Sequence, residues 1–153
     1  MGAPAKTVSS KEATGKVMIR VVVDTNILVS VALPESRLQI LADGWQKRRF
    51  RLLISAEIFD EYLRVLTYPK FNLSSADIKR ILEKELLPYT EMVKVTTQVN
   101  VIVKDPSDNK FLACAVDGHA NFIVSGDQHL LSVGQFHHIP ILTARQLLEK
   151  LSS

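Results

Sequence analysis

The sequence is poor in cysteine and contains no long apolar run. Its one cysteine, Cys114, cannot form an intramolecular disulfide, and we expect it to be a small buried side chain rather than a nucleophile. The absence of any stretch of about 18 apolar residues excludes a transmembrane helix. The first 17 residues also lack the apolar segment of a signal peptide. These absences favour a cytoplasmic protein that does not enter membranes.

Several common catalytic arrangements are also missing. The four histidines do not have the spacing of a zinc site. The segment ATGKV resembles the end of a phosphate-binding loop, but Ser10 stands where the first glycine belongs and no strand precedes it. No G-x-S-x-G motif provides a nucleophile for acyl transfer. Zinc, P-loop and serine hydrolase chemistry are therefore disfavoured.

Net charge is weak evidence about partners. The formal charge is +3, but residues 1–17 contain three lysines and one glutamate, so the rest of the chain is close to neutral. A local cluster is more informative, because four cations occupy five positions beside a predicted strand: Lys47, Arg48, Arg49 and Arg51. Such a cluster can bind RNA phosphates. It can equally be a solvated helix end, where cations are favoured near the C-terminus.

Short apolar runs alternate with amphipathic segments along the chain. The runs predict buried strands at 19–24, 50–55, 121–125 and 139–142, while residues 91–103 could form one strand or two. Helical patterns lie between them. We therefore predict an α/β fold, a three-layer sandwich with a central, mostly parallel sheet. Residues 18–153 would form one domain, and residues 1–17 a disordered tail or an added extension.

Residues that often begin or end helices flank several of these helical patterns. Long helices are predicted at 36–49 and 74–89, and an earlier one is expected to end at Pro34. A further helix should start with Pro106 in its first position and end at Gly118. The predicted N-caps are Ser55, Ser74, Asp105 and Thr143, and Asp77 and Gln146 would complete capping boxes.

Four acidic residues lie at the boundaries of these elements, at Asp24, Glu61, Asp108 and Asp127. Asp24 ends one predicted strand and Asp127 follows another, at the sheet edge where α/β proteins bind ligands. On its helix, Glu61 lies about 40° from the apolar arc, so it is the acid of that helix most likely to contact the protein. If the fold gathers all four, their oxygens would suit a hard cation such as Mg²⁺ or Mn²⁺.

Each acid also has a purely structural explanation. Asp24 and Asp127 could cap the helices that follow them. Asp108 could complete a capping box or complement the helix dipole. Glu61 could pair with Arg64 on the next turn. The joint pattern favours a site, because all four structural explanations would otherwise have to hold together.

The order of these motifs resembles the PIN domain family, the fold of many metal-dependent ribonucleases. The resemblance covers about residues 18–151, through DTN at Asp24, SAEIFDEYLRVL at Glu61, DNKFLACAV at Asp108 and SGD at Asp127. Within the family, the chain is most similar to prokaryotic PIN toxins of the VapC type. Ser125 stands where many relatives have Thr. An aromatic residue that many relatives carry soon after the last acid is missing from DQHLL.

The resemblance implies a metal-dependent endoribonuclease with one or two Mg²⁺ or Mn²⁺ ions. Asp24, Asp108 and Asp127 would be the principal ligands, and Glu61 a ligand or a base that orients water. Asn26 and Ser125 would orient the carboxylates, and the Lys47–Arg51 cluster would contact RNA. A toxin would also have an antitoxin partner, and the family commonly forms homodimers.

Other functions are compatible with parts of the pattern. A catalytically inactive module that binds RNA or protein would keep the fold and use the acids structurally. A phosphatase with Asp24 as nucleophile would normally have a second Asp two residues later, where this chain has Asn26. A receiver domain would need an Asp at the end of a middle strand, where this chain has Ser55.

Overall fold

The computed structural model describes residues 18–33, 36–100 and 106–152. A six-stranded sheet forms its centre, in the order β3-β2-β1-β4-β6-β5. All neighbouring strands are parallel except β5, which runs antiparallel to β6. The strands are β1 (Ile19–Val23), β2 (Phe50–Ser55), β3 (Thr90–Val93), β4 (Phe122–Val124), β5 (Gln135–Phe136) and β6 (Ile139–Leu142).

Helices connect the parallel strands and flank the sheet, as crossover connections require. The predicted α/β fold with a mostly parallel sheet is therefore confirmed. Within the described residues, no helix is long and apolar enough to span a membrane. The helices are α1 (Thr25–Ala32), α2 (Gln39–Gln46), α3 (Ala56–Leu66), α4 (Ser75–Arg80), α5 (Asn109–Asp117), α6 (Gln128–Val133) and α7 (Ala144–Leu151).

Strand β1 lies between β2 and β4, and its register sets the geometry of the functional edge. Val22 pairs with Leu53 on one side and with Ile123 on the other. The last three residues of β1 are almost fully buried, because helices cover both faces of the central strands. Since the three strands run in the same direction, their carboxyl ends emerge together. This end of the sheet is called the carboxyl edge below.

Serine and threonine capping signals predicted three helix starts correctly, whereas α5 begins at Asn109 and the predicted first residue, Pro106, starts a 3₁₀ turn instead. The Ser55 hydroxyl accepts a hydrogen bond from the Ile58 amide at 3.2 Å and starts α3. Both predicted capping boxes are present, Ser74 with Asp77 and Thr143 with Gln146. Gly118 is the C-cap of α5, as predicted. The predictions for the tail 1–17, Pro34 and Asp105 fall outside the described residues.

Some predicted elements differ in extent or type. The helix predicted at 36–49 contains only α2, because turns at residues 37–38 and 47–48 flank it and Leu38 provides no side-chain cap. In the helix predicted at 74–89, α4 is followed by π-helix at Ile81–Leu86 and a 3₁₀ turn at Leu87–Tyr89. Only β3 forms within the described part of 91–103. Strand β5 was not predicted, because two residues are too short to show a periodic pattern.

Candidate functional site

Asp24 lies at the carboxyl end of β1 and begins α1. Its Oδ1 accepts a hydrogen bond from the Ile27 amide at 3.0 Å, and Oδ2 accepts one from the Ser125 hydroxyl. The residue is only 4% exposed. The proposed capping role of Asp24 is therefore correct. Capping does not use up the carboxylate, because its two oxygens together provide about four acceptor positions.

Ser125 joins Asp24 to Asp127 at the carboxyl edge. The Ser125 side chain is fully buried, and its hydroxyl donates to Asp24 while accepting a hydrogen bond from the Asp127 amide at 2.9 Å. Asp127 in turn caps α6 through Oδ1, which lies 2.7 Å from the His129 amide nitrogen. One hydroxyl thus binds the carboxylate of Asp24 and the backbone amide of Asp127, two residues that follow neighbouring strands. Asp24, Ser125 and Asp127 are together called the Asp-Ser-Asp unit.

The electrostatic state of Asp24 reflects this crowding. Burial raises the pKa of the Asp24 carboxyl, and the negative charge of Asp127 raises it further. Hydrogen bonds from Ser125 and from the Ile27 and Gly126 amides oppose this rise in pKa, but do not cancel it. A cation bound between Asp24 and Asp127 would reduce their repulsion and stabilise the ionised form of Asp24.

Glu61 projects from α3 toward the same edge. Its side chain is 21% exposed, while Glu57, Asp60 and Arg64 on the same helix are exposed, which confirms that Glu61 is the acid held against the protein. Its Oε1 accepts a hydrogen bond from the hydroxyl of Thr25 at 3.0 Å. The same oxygen lies 3.0 Å from the Lys110 ammonium nitrogen. Glu61 therefore pairs with Lys110 and not with Arg64.

Asp108 ends the 3₁₀ turn Pro106–Asp108 and is the N-cap residue of α5, without a side-chain capping hydrogen bond. It is half-buried and lies two residues before Lys110.

Thr25 and Lys110 contact Glu61 but were not predicted, whereas the predicted Asn26 is exposed on the first turn of α1. A threonine or a lysine in a helical pattern carries no local signal of such a contact.

The four acids do not form one tight cluster. Within the described residues, no three His, Cys, Asp or Glu side chains are close enough together to hold a metal ion. The structure brings Asp24 and Asp127 together through Ser125. Glu61 is linked to this pair through Thr25, and its charge is balanced by Lys110.

The basic cluster lies at the opposite end of the sheet. Residues 47–51 precede and begin β2, whereas the acids follow the carboxyl ends of β1 and β4. The length of β2, about 17–20 Å for a strand of this size, separates the two. Arg49 donates to the Leu151 carbonyl at 2.6 Å, and the Arg48 guanidinium lies 5.9 Å from the centre of the Tyr89 ring. The cluster is not brought to the acidic site.

Cys114 has no features of a nucleophile. It is fully buried in α5, and burial raises the pKa of its thiol to about 12. The thiolate is therefore strongly disfavoured. The prediction of a small buried side chain is confirmed.

Comparison with known proteins identifies the family. A family model described as PIN domain matches residues 20–129, which is most of the chain and includes all four acids. The chain belongs to the PIN domain family. A comparison with curated protein sequences gives no match.

Two solved structures share the fold of this PIN domain. The PIN domain endonuclease Utp24 is 15% identical, with a TM-score of 0.51 over 81% of this chain and 84% of that one. PAE2754 from Pyrobaculum aerophilum is 18% identical, with a TM-score of 0.51 over 88% of this chain and 90% of that one. At these identities the likeness shows the fold alone.

PIN domain nucleases generally use divalent metal ions, and the donor set here fits such an ion in part. Asp24 and Asp127 are oxygen donors, which hard cations prefer. The raised pKa of buried Asp24 beside Asp127 is the property that a bound cation would reverse. Glu61 fits less well, because Lys110 already balances its charge.

Proposed function

We propose that this PIN domain is a metal-dependent endoribonuclease whose centre is the Asp-Ser-Asp unit. The PIN domain nuclease fold supports a nuclease function. The observation that carries the proposal is the Ser125 hydroxyl, which donates to the Asp24 carboxylate and accepts from the backbone amide of Asp127, so that two acids from neighbouring strands lie at the ligand-binding edge of the sheet.

The roles of the residues follow from their positions. Asp24 and Asp127 would hold a divalent ion, with Asp108 as a further oxygen donor from the start of α5. When bound, such an ion can lower the pKa of a coordinated water and stabilise charge on a leaving oxygen. Ser125 orients the Asp24 carboxylate and fixes the backbone at Asp127, and groups that orient a metal ligand commonly change metal affinity by about 10- to 100-fold. Glu61 would be a further ligand or a base that orients water.

RNA is the substrate that the family resemblance implies, with products that carry 5′-phosphate and 3′-hydroxyl ends. The Lys47–Arg51 cluster would not contact the scissile phosphate, because the cluster lies at the end of the sheet opposite to the carboxyl edge. It would bind the backbone of a longer RNA and add affinity that depends on salt but not on sequence.

The resemblance to VapC-type toxins extends this proposal to a cellular role. The protein would act in the cytoplasm as the toxin of a toxin–antitoxin pair, as a homodimer, and would be inhibited by an antitoxin segment placed near the carboxyl edge. Residues 1–17 would lie outside the single domain formed by residues 18–153.

A second candidate is an inactive PIN module that binds RNA or protein. Two observations favour it: Asp24 and Asp127 both act as helix caps, and no three acids converge among the described residues. This alternative predicts that divalent ions neither stabilise the protein nor promote cleavage.

The test is cleavage of labelled single-stranded and structured RNA with Mn²⁺ or Mg²⁺, compared with EDTA. Wild type should cut only with metal, and Asp127→Asn should reduce the rate at least 100-fold while its circular dichroism spectrum stays unchanged. Asp60→Asn is the matched control, because Asp60 is an exposed acid on α3, and it should cut like wild type. Equal cutting by wild type and Asp127→Asn, or no cutting with any metal, would favour the inactive module.

A further inference from the structure

Lys110 is a buried cation within the acidic site. Its side chain is only 7% exposed, although lysine is almost never this deeply buried unless it is paired. The residue lies on the first turn of α5, where a positive charge opposes the helix dipole. Neither the helix dipole nor solvation explains a buried lysine here, so its contacts must provide the reason.

The contacts of Lys110 join the segments that carry two of the four acids. The ammonium nitrogen lies 3.0 Å from Glu61 Oε1 on α3 and donates to the backbone carbonyl of Ser107, next to Asp108. It also lies 5.1 Å from the centre of the Phe111 ring. Glu61 Oε1 is shared with Thr25, the residue that follows Asp24. The charge is therefore fixed in one position, close to the acids.

A fixed positive charge at this position changes what the site can bind. The Glu61 carboxylate would otherwise be a ligand for a divalent ion, or at least add a negative charge near Asp24 and Asp127. The ammonium cancels that charge and occupies an oxygen that a metal would use. The Lys110 ammonium also repels a divalent ion bound nearby, because Coulomb energies between charges at short range are large away from bulk water.

We propose that Lys110 is a built-in counter-cation that neutralises Glu61 and thereby limits the affinity of the carboxyl edge for divalent ions. The inference rests on the proposed function, since it assumes that Asp24 and Asp127 bind the ion. Lys110 is a positioning residue in this account, because it acts through Glu61. Its removal should free Glu61 for the metal.

The test is a Mn²⁺ titration of the full chain, followed by electron paramagnetic resonance of free Mn²⁺ and by calorimetry. Lys110→Met keeps the length of the side chain but removes its charge, and it should bind Mn²⁺ roughly tenfold or more tightly than wild type. Lys110→Arg keeps the charge and should bind like wild type. Lys84→Met, which removes an exposed lysine from the π-helix, is the matched control and should also leave binding unchanged.

The double variant Glu61→Gln, Lys110→Met separates this role from simple packing. It replaces a charged pair by a neutral pair, so Mn²⁺ affinity should return to that of wild type. If Lys110 only stabilised the contact between α3 and α5, Lys110→Met would lower the melting temperature without changing Mn²⁺ affinity, which would overturn the inference.

Two further outcomes keep the inference and the proposed function distinguishable. Wild type that binds Mn²⁺ with an affinity equal to that of Lys110→Met would overturn the inference and leave the proposed function intact. No Mn²⁺ binding by either wild type or Lys110→Met would overturn both. If Lys110→Met does not fold, Lys110→Gln, whose amide can still donate to Glu61, should show the same tighter binding, and wild-type affinity in that variant would overturn the inference.

Discussion

Ser125 offers the sharpest test of how the acidic edge is built. Its hydroxyl is fully buried, donates to Asp24 Oδ2 and accepts from the Asp127 amide. In Ser125→Ala the methyl group can replace neither bond. Asp24 then loses one of its hydrogen-bond donors in a buried position, and the partly buried Asp127 amide loses its acceptor.

The magnitude follows from these two losses. Leaving a buried hydrogen-bonding group unsatisfied costs about 1–3 kcal/mol, and more when the group is charged. Two such groups, of which the Asp127 amide is only partly buried, give an expected loss of about 2–4 kcal/mol in the free energy of unfolding. For a chain of this size, each 1 kcal/mol lowers the melting temperature by about 2–4 °C. The expected fall is therefore about 4–16 °C.

The assay is urea and thermal unfolding in EDTA, so that metal binding does not contribute. Ser125→Thr is the matched control, because it keeps the hydroxyl, and it should retain most of the stability. A Ser125→Ala protein within about 0.5 kcal/mol of wild type, which is the range of a neutral surface substitution, would refute the bridging role of the hydroxyl. It would also remove the main support for the Asp-Ser-Asp unit.

Two further predictions concern Asp24 and the core. Because burial and Asp127 raise the pKa of Asp24 above the ordinary value of 3.8, the folded state binds its proton more tightly than the unfolded state. This contribution to stability is complete below 3.8 and is lost as pH rises through the higher folded value. In EDTA, wild type should therefore lose stability relative to Asp24→Asn as pH rises from about 4 to 7. A difference in urea midpoint that does not change with pH would contradict this. Gly44→Ala should cost about 1–3 kcal/mol in urea unfolding, because its Cβ would lie 2.6 Å from a buried Phe50 ring carbon. Gly126→Ala, with its nearest neighbour at 3.7 Å, should cost much less, and equal losses would refute the packing argument.

The parts of the fold that sequence predicted well depend on local signals. Strand β2 has the predicted bounds and helix α3 starts at the predicted cap, because an apolar run, a serine cap and a clear helical period follow one another. The position of Glu61 against the protein also followed from that period. The change from α- to π-helix after Arg80 has no comparable signal. It depends on how the segment packs, with the Glu85 carbonyl accepting a hydrogen bond from the Trp45 indole at 3.0 Å.

The candidate site was predicted less completely, for two different reasons. Lys110 could not be identified from sequence, because its burial depends on the packing of α5 against α3, and local patterns do not encode that contact. The placement of the basic cluster could have been predicted. Residues 47–51 come before a strand of a parallel sheet, so they had to lie at the end opposite to residues that follow the strands.

The most direct test of the central claim is to locate Mn²⁺ by anomalous diffraction in crystals soaked with the ion. The account predicts a strong peak within about 2–2.4 Å of oxygens of Asp24 and Asp127, and no peak there in Asp24→Asn. Absence of a peak at the carboxyl edge in wild type, or a peak only elsewhere on the protein, would contradict the claim that the Asp-Ser-Asp unit is a metal centre.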